Sequence, residues 1–528
     1  MVKVEAILMN KTAKRIVGTT ITLTMLVGIG YTLNNPISPI KPVEAATSES
    51  AKYNGKAPKY IFMFIGDGMS FPQIQVAQYY KGVEKNGVID PKKGNYPNPV
   101  NLSFMDFPVA GTVTTYDSTS VCPDSASTAT SLSTGKKTLS SVINMDETKT
   151  KSYETITEKL KKQLEYKIGI VTSVNIDHAT PGAYYAHVPA RSNYYDMGVQ
   201  LVNSNFNYFA GGKFLSDDSK EVKEQGKLPI SKLAEKNGFK IADTQEEIKS
   251  LKSGDNKVIA ICPENEIEKE SGAIKYDLDR TGNELTLADY TKKGIELLDN
   301  DKGFFMMVEG GKIDWAGHAN DAASSINDTE ALSDAVQEAI NFYNKHPKET
   351  LILVTGDHET GGLTIGFAGT NYDTYLQNLS NQKISYTAFD RYVAKYRENK
   401  TSFDDAMKDV EANFGLKRAG SSGESTKGGM VLTSEEEARI KAAYEKSMIQ
   451  KEDRKLDENE YVMYGSYEPF TVTLTHILNN KSGVSYSSYS HTGLPVAMMA
   501  KGAGQELFSG YYDNTNVFDK LKEITKVK

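Results

Sequence analysis

Four segments of this chain share one design, an apolar run with β-strand character followed at once by acids or histidines. They read KYIFMFIGDG (59–68), YKIGIVTSVNIDHATP (166–181), KGFFMMVEGGKIDWAGH (302–318) and ETLILVTGDHETGG (349–362). Strands that are apolar throughout are buried on both faces, which is typical of a parallel sheet covered by helices. Helical spacing between the segments, as at Leu332, Val336 and Ile340, fits this pattern. We therefore predict an α/β fold with a large, mostly parallel central sheet and helices on both faces.

The polar residues that follow these strands are expected to meet, because ligands of open α/β sheets bind at the carboxyl ends of the strands. One acid after a strand is ordinary turn chemistry, but four such endings need another explanation. Asp314 and His318 are four residues apart, so a helical turn would place both on one face, as a metal pair requires. The candidates are Asp67, Asp177, His178, Thr180, Glu309, Asp314, His318, Asp357 and His358, together with His491 of the serine-rich loop SYSHTGLPV.

Ser125 lies in the segment VCPDSASTAT (121–130), which permits two interpretations. Asp124 and Ser125 both belong to the residue types that cap helix N-termini by accepting backbone hydrogen bonds. The same position suits a nucleophile, because the free N–H groups and the dipole of a helix N-terminus favour an anion. Taken alone, the segment leaves both interpretations open.

The first 45 residues are predicted to be a signal peptide. Three basic residues precede an apolar stretch, Ile16–Leu33, and the sequence VEA before Ala46 suits signal-peptidase cleavage. An uncleaved membrane anchor is the alternative, because a stretch of this length is borderline for a span. The threonines and glycines within it favour cleavage. We expect a secreted or extracytoplasmic protein, in the periplasm or at the cell surface, with no stable membrane span after cleavage and a catalytic domain over residues 46–528.

Charge and cysteine content limit the functions of the mature chain. Residues 1–45 hold five basic and two acidic side chains, so their removal changes the net charge from −7 to −10. Such a surface repels nucleic acid, and nucleic-acid binding is not expected. Only Cys122 and Cys262 are present. A bridge between them is possible, but two buried free thiols are the expected arrangement.

Five blocks of the sequence together resemble the alkaline phosphatases of the metal-dependent superfamily. The blocks are IGDGM, PDSASTAT, DHATPGAYYAHVPAR, VEGGKIDWAGH with TGDHETGG, and SHTGLPV, and they follow the family order from about Tyr60 to Leu521. Each block alone is a weak signal, whereas all five in order are specific. The resemblance implies hydrolysis of small phosphate monoesters through a phosphoserine intermediate on Ser125. It also implies a homodimer.

The resemblance further implies two Zn²⁺ ions and one Mg²⁺ ion per subunit. Two metals about 4 Å apart can stabilise the entering and leaving oxygens of an in-line displacement, which suits a bond as slow to hydrolyse as a phosphate monoester. By motif, one zinc would be held by Asp314, His318 and His491, the second by Asp67, Asp357 and His358, and the magnesium by Asp67, Thr180 and Glu309.

The same resemblance assigns the surroundings of the phosphate. Arg191 would bind two phosphate oxygens, a role that suits its bidentate fork, and Asp124 would steady Arg191. The best-studied bacterial branch has Asp and Lys where this chain has His178 and Trp315. This departure leaves the zinc ligands intact and affects the third metal site and the outer shell of the phosphate.

The stretch between His358 and His491 is 132 residues long, more than a strand–helix connection needs. Ser402 begins a helical pattern, and Ser434 with the three glutamates after it resembles a capping box that opens a second helix. We interpret residues 370–465 as a mainly helical insertion, crown-like by resemblance to the family. A solvated appendage without a role at the site stays open as the alternative.

Three other functions are compatible with parts of the sequence. A phosphodiesterase or related hydrolase of the same superfamily would share the metal-binding acids. A serine esterase could use Ser125, His491 and an Asp, but the G-x-S-x-G turn is absent and six further candidate ligands would be unexplained. A binding protein with a decayed site predicts missing ligands, and none is missing. Hydrolysis of phosphate monoesters accounts for the most residues.

Overall fold

The structure is a computed structural model that describes residues 55–93, 95–425 and 427–528. The predicted signal peptide lies outside these residues. Within the described ranges, no helix combines the length and the apolar character needed to cross a membrane.

A ten-stranded sheet forms the centre of the described structure, as predicted. Two further sheets of two strands each lie beside it. The strands are β1 (Tyr60–Gly66), β2 (Val109–Thr114), β3 (Lys167–Asn175), β4 (Tyr208–Gly212), β5 (Lys240–Ala242), β6 (Val258–Ile261), β7 (Phe304–Gly310), β8 (Thr350–Gly356), β9 (Glu359–Thr360), β10 (Thr364–Ile365), β11 (Val484–Ser485), β12 (His491–Thr492), β13 (Val496–Gly502) and β14 (Gly510–Asp513).

The four strands predicted from the sequence are neighbours at the centre of the large sheet. Its order is β14-β2-β13-β8-β1-β7-β3-β4-β6-β5. Only β13 runs antiparallel to its neighbours. The last residue of β1, Gly66, pairs with Gly310 of β7 and with Gly356 of β8. The three strands therefore end at one level, and the segments that follow them start from the same edge.

Helices cover both faces of the sheet, which explains why the central strands are apolar throughout. All seven residues of β1 are buried, and their side chains alternate between two separate cores. Phe62 and Phe64 pack in the core that includes Leu332, whereas Ile61 and Met63 pack in the core that includes Ala129. The helices on or beside the sheet are Phe71–Asn86, Ser125–Thr134, Ile156–Leu164, Ala179–Gly182, Tyr194–Asn203, Lys220–Lys223, Ile230–Lys236, Gln245–Ser250, Leu287–Leu298, Lys312–His318, Ala322–Tyr343 and Thr515–Thr525.

The chain between β10 and β11 is mainly helical. Ser402 caps its helix as predicted, and its hydroxyl accepts a hydrogen bond from the N–H of Asp405. The capping box of the next helix is one residue earlier than predicted, because Thr433 and Glu436 form it and Ser434 is already inside the helix. The helical region also continues beyond residue 465. Its helices are Tyr386–Asn399, Phe403–Phe414, Ser434–Ser447, Glu458–Tyr464 and Pro469–Ser482.

The two cysteines are both free, but only one of them is buried. Cys262 directly follows β6 and is buried, as predicted. The prediction that Cys122 is also buried is wrong. Cys122 is exposed because it lies in the irregular segment that leads into the helix Ser125–Thr134, outside both hydrophobic cores.

Candidate active site and metal centre

The site begins with a sharp turn after β1 that places Asp67 against the segment following β8. Gly68 has a φ of 71°, and its N–H donates to Asp357 Oδ1 at 3.2 Å. A Cβ atom at Gly68 would lie 2.7 Å from Thr360 Oγ1 and 2.9 Å from the Cα atom of Asp314. Glycine is therefore required here, both by the left-handed backbone and by the close approach of the two neighbouring segments.

Asp314, His318 and His491 form the first cluster of ligand-type atoms. Asp314 and His318 lie on the helix Lys312–His318, with 3.3 Å between Asp314 Oδ1 and His318 Nε2. His491 Nε2 lies 3.4 Å from the same oxygen. The short pairing of β12 with β9 places His491 opposite Thr360 and brings it to His318, 173 residues earlier in the chain.

The two imidazoles of this cluster face each other with their lone pairs. His318 Nδ1 lies 2.6 Å from the carbonyl oxygen of Tyr489, and His491 Nδ1 lies 2.5 Å from that of Pro123. A carbonyl oxygen only accepts, so in the neutral rings both protons belong on Nδ1. The two Nε2 atoms, 3.0 Å apart, are then both acceptors beside a carboxylate. This arrangement is unfavourable alone and fits a bound cation.

Asp67, Asp357 and His358 form the second cluster, and all three side chains are buried. His358 Nε2 lies 3.3 Å from Asp67 Oδ1 and 3.4 Å from Asp357 Oδ2. The same nitrogen lies 3.2 Å from Ser125 Oγ. The serine hydroxyl therefore faces this cluster directly.

Thr360 links the two clusters and was not among the residues predicted from the sequence. Its hydroxyl is 2.5 Å from Asp314 Oδ1 and 3.3 Å from His358 Nδ1. The hydroxyl donates to the carboxylate, so its lone pair is available to accept from His358 Nδ1–H. That assignment directs the His358 Nε2 lone pair at Asp67 and Asp357, where a cation would bind. Nothing in the local sequence distinguishes a threonine that makes these two contacts from one that does not.

Thr180, Glu309 and Asp67 come together as the third predicted group. Thr180 Oγ1 is 3.5 Å from Asp67 Oδ2. Thr172, which no sequence motif indicated, donates to Glu309 Oε2 at 2.5 Å. The other oxygens, Asp67 Oδ1 and Glu309 Oε1, are buried without a hydrogen-bond partner. Buried carboxylate oxygens without a donor are costly, and oxygen ligands are those that Mg²⁺ prefers. These residues therefore fit a hard cation.

Burial and mutual repulsion raise the pKa values of three carboxyl groups of the site, whereas the neighbouring histidines outweigh burial and lower the pKa of Asp314. Burial, together with the negative charges of Asp357 and Asp314, raises the pKa of Asp67 well above its usual range. Burial likewise raises the pKa of Glu309 to about 7 and that of Asp357 to about 6. Burial also lowers the pKa of His358 well below its usual value, so this ring is neutral. A site of ionised carboxylates and neutral imidazoles at alkaline pH requires positive charge from a ligand.

At the N-terminus of the helix Ser125–Thr134, the capping residue and the candidate nucleophile are two different residues. Asp124 is the cap, because its carboxylate accepts from the N–H of Ser127 at 3.1 Å. Ser125 is the first residue of the helix and makes no capping bond, so its hydroxyl is free to face His358. Asp117, another residue missed in the sequence, fixes this turn by accepting from the hydroxyls of Ser127 at 2.7 Å and Ser140 at 2.6 Å.

Arg191 reaches the same helix N-terminus. Its Nη1 donates to Asp124 Oδ2 at 3.0 Å, as the resemblance implied. Its Nη2 lies 3.5 Å from His178 Nε2, and the His178 ring meets Trp315 edge to face with 5.8 Å between centroids. Burial and the charge of Arg191 lower the pKa of His178 to about 3, so His178 brings no charge to the site.

Asp177 is the one candidate that the structure does not bring to the site. Its two carboxylate oxygens each accept a hydrogen bond of 2.8 Å, one from the N–H of Leu215 and one from that of Ser216. The expectation that every acid after a strand would converge is wrong here, because Asp177 fixes the loop after β4.

At one edge of the mostly parallel sheet lie a serine at a helix N-terminus and two clusters of metal-ligand type. This combination defines a metal-dependent α/β hydrolase. Comparison with known proteins gives the family. The chain belongs to the alkaline phosphatase family, whose model matches residues 58–208 and 269–527. It is therefore a phosphoric monoester hydrolase. Residues 209–268 are outside the matched ranges.

Relatives of similar length support this assignment. Alkaline phosphatase 4 of Bacillus subtilis is 30% identical over 485 residues, which cover 90% of this chain and 91% of the relative. Alkaline phosphatase 3 of the same organism is 28% identical over 500 residues, or 92% and 93% of the two chains.

Solved structures share the fold at lower identity. The cold-active alkaline phosphatase of a psychrophilic Shewanella species has a TM-score of 0.69 at 23% identity, covering 88% of this chain and 99% of its own. The Thermus thermophilus alkaline phosphatase has a TM-score of 0.71 at 21% identity, covering 90% and 93%.

Proposed function

We propose that this enzyme hydrolyses phosphate monoesters through a covalent phosphoserine on Ser125. The observation that carries the proposal is the position of Ser125 Oγ, which lies 3.2 Å from His358 Nε2 at the start of a helix whose cap is Asp124. A free serine hydroxyl is a weak nucleophile near neutral pH. The N–H groups at the helix N-terminus favour negative charge at this position.

The residues around Ser125 have distinct roles in the two steps of the reaction. Arg191, held by Asp124, would bind two oxygens of the phosphoryl group through its guanidinium fork. Ser125 Oγ then attacks phosphorus, the P–O bond to the ester oxygen breaks, and the alcohol leaves with a proton. Water cleaves the phosphoserine in the second step, which releases inorganic phosphate and restores the hydroxyl. Both steps keep the phosphoryl group beside the same arginine.

We propose two zinc ions and one magnesium ion per subunit as cofactors. Bound metals would stabilise the negative charge that develops on the attacking and leaving oxygens. The first two clusters combine imidazole with carboxylate, which suits zinc, whereas Asp67, Thr180 and Glu309 offer only oxygen. A variant of the TAB5 alkaline phosphatase, with aspartate in place of a histidine, has magnesium in its M3 site. Magnesium in that site supports magnesium for the all-oxygen group here.

Three further proposals concern the whole protein. The apolar stretch and the cleavage pattern of residues 1–45 support export, so that the mature enzyme is secreted or extracytoplasmic. Resemblance to the family supports a homodimer. The helices between β10 and β11 support a crown-like insertion over residues 370–465 within the catalytic domain.

The test of the phosphoserine is intact-mass analysis after acid quench with a phosphate monoester. The wild-type enzyme should gain one phosphoryl group, and Ser125→Ala should lose both the adduct and most activity while it keeps its fold. Ser131→Ala is the matched control, because Ser131 lies on the same helix and donates only to the backbone of Ser127. An adduct that persists in Ser125→Ala contradicts the assignment.

Two measurements on the same preparation separate the alternatives. Metal analysis should give zinc and magnesium near a two-to-one ratio, and a metal-free active enzyme would indicate a serine esterase. Faster hydrolysis of a phosphate diester than of the monoester would indicate a phosphodiesterase. No turnover of either ester by metal-loaded protein would indicate a decayed site.

A further inference from the structure

Lys312 is a fully buried lysine at the start of the helix that carries Asp314 and His318. Its ammonium lies 2.9 Å from Glu268 Oε2, 3.7 Å from the centroid of the Tyr276 ring and 4.7 Å from that of Trp315. Neither the metal clusters nor the nucleophile uses this charge.

Two hydroxyl groups hold the carboxylate of Glu268 in place. Ser271 donates to its Oε2 at 2.6 Å, and Thr387, on the helix Tyr386–Asn399, donates to its Oε1 at 2.5 Å. Burial alone would raise the pKa of Glu268, but Lys312 and these hydroxyls outweigh burial and lower it. The carboxylate is therefore charged. Glu268 is also the last residue of the 209–268 segment that the family model does not match.

The contacts of Lys312 lead through Trp315 to the residues beside the proposed phosphate position. A cation over an indole face is attracted by the ring and restricts its orientation. The Trp315 ring meets His178 at an interplanar angle of 74°, and His178 Nε2 lies 3.5 Å from Arg191 Nη2. One continuous set of contacts thus runs from Glu268 to the arginine.

We propose that Lys312 is a positioning residue for phosphate binding, which acts by holding Trp315 against His178 and so fixes the site of Arg191. The inference rests on the phosphate-binding role proposed for Arg191. A purely structural ion pair is the competing explanation, because buried pairs also join segments of a fold. The two explanations differ in what happens when both charges are removed together.

Trp315 is the only tryptophan of the chain, so tryptophan fluorescence reports on the surroundings of this one ring. The double variant Lys312→Met with Glu268→Gln removes both charges. The Gln amide can still accept from one of the two hydroxyls, of Ser271 and Thr387, through its oxygen and donate to the other through its nitrogen. Replacing both partners of a buried pair is often tolerated, so the variant should unfold at close to the wild-type temperature. We expect a shifted Trp315 emission maximum, faster acrylamide quenching, and inhibition by inorganic phosphate that is weaker by roughly three- to tenfold.

Lys481→Met is the matched control, since Lys481 is also buried and pairs with Glu436 at 2.9 Å, on helices that do not carry Trp315. It should lower the unfolding temperature without changing Trp315 emission or phosphate inhibition. If the stable double variant of Lys312 keeps wild-type quenching and wild-type phosphate inhibition, the pair is structural only and the proposal is wrong.

A second variant keeps the test valid if the Lys312→Met proteins do not fold. Glu268→Gln alone retains the ammonium and releases it from its carboxylate, so Trp315 quenching must change if Lys312 positions the ring. Unchanged quenching would overturn the proposal. The fluorescence measurements need no turnover, so they judge Lys312 even if the phosphoserine experiment fails. Altered quenching with unaltered phosphate inhibition would reject the link to Arg191.

Discussion

The carboxylate of Asp124 forms the ion pair that holds Arg191. Its Nη1 donates to Asp124 at 3.0 Å, and Asp124 in turn accepts from the N–H groups of Ser127 and Ser141. Burial would raise the pKa of Asp124, but Arg191 and these N–H groups lower it, so the carboxylate stays charged. The guanidinium is therefore held in place before any phosphate arrives, which limits the entropy lost on binding.

We expect Arg191→Ala to weaken inhibition by inorganic phosphate at least tenfold. The lost charge-assisted hydrogen bonds are worth roughly 1.5–3 kcal/mol. Arg191→Lys is the matched control, because lysine keeps the charge but cannot form two parallel hydrogen bonds. Its inhibition constant should lie between those of the wild type and the alanine variant. A wild-type inhibition constant in Arg191→Ala would contradict the proposed role.

Thr360 should control metal affinity although it is not a proposed ligand. Thr360→Val keeps the shape of the side chain and removes the hydroxyl between Asp314 and His358. Loss of such an outer contact typically costs about 10–100-fold in metal affinity. Competition with a chelator, followed by zinc analysis, measures this loss. Thr360→Ser retains the hydroxyl and should behave like the wild type, and equal zinc retention by both variants would disprove the link.

The elements of the site differ in how far the sequence could predict them. Apolar strands followed by acids predicted the parallel sheet and the pair Asp314 and His318, because those patterns are local. The pairing of β9 with β12, only two residues long, gave no pattern. His491 was therefore a candidate from its serine-rich loop, but only the family resemblance grouped it with Asp314 and His318. Asp177 was misassigned because a carboxylate that binds metal and one that binds backbone N–H groups follow strands in the same way.

The helical segment after β10 supplies a prediction about stability. Asp390 on the helix Tyr386–Asn399 accepts from Thr471 Oγ1 at 2.5 Å, and burial, aided by the charge of Glu468, raises its pKa to about 8. An unfolded chain has an Asp pKa near 4, so the folded state binds this proton more tightly. The free energy of unfolding therefore falls as the pH rises from about 4 to about 8.

Asp390→Asn should remove this dependence, since asparagine can accept the same hydrogen bond without a charge. We expect the variant to unfold at about the wild-type temperature at pH 5 and about 2 °C or more above it at pH 9. Thermal unfolding of both proteins at the two pH values is the measurement. A difference in unfolding temperature that does not grow with pH would show that Asp390 is ionised in the folded protein throughout this range.

At the scale of the whole molecule, the site joins distant parts of the chain at one edge of the sheet. Its buried carboxylates come from the turn after β1, from β7, from the helix after β7 and from the turn after β8. These acids repel one another, and this repulsion destabilises the folded state unless cations bind at this edge. Metal binding and folding are thus expected to be coupled. The acids are Asp67, Glu309, Asp314 and Asp357.

Removal of the metals should therefore destabilise the enzyme more at alkaline than at acidic pH. In the metal-free protein the pKa values of Glu309 and Asp357 are raised to about 7 and about 6, so protonation stabilises the fold below pH 6 and is lost as the pH rises. A ligand present at a thousand times its dissociation constant contributes about 4 kcal/mol. The unfolding temperatures of chelated and metal-loaded enzyme should differ little at pH 5 and widely at pH 8, and added zinc and magnesium should restore the loss. An equal difference at both pH values would show that these carboxylates do not link metal binding to stability.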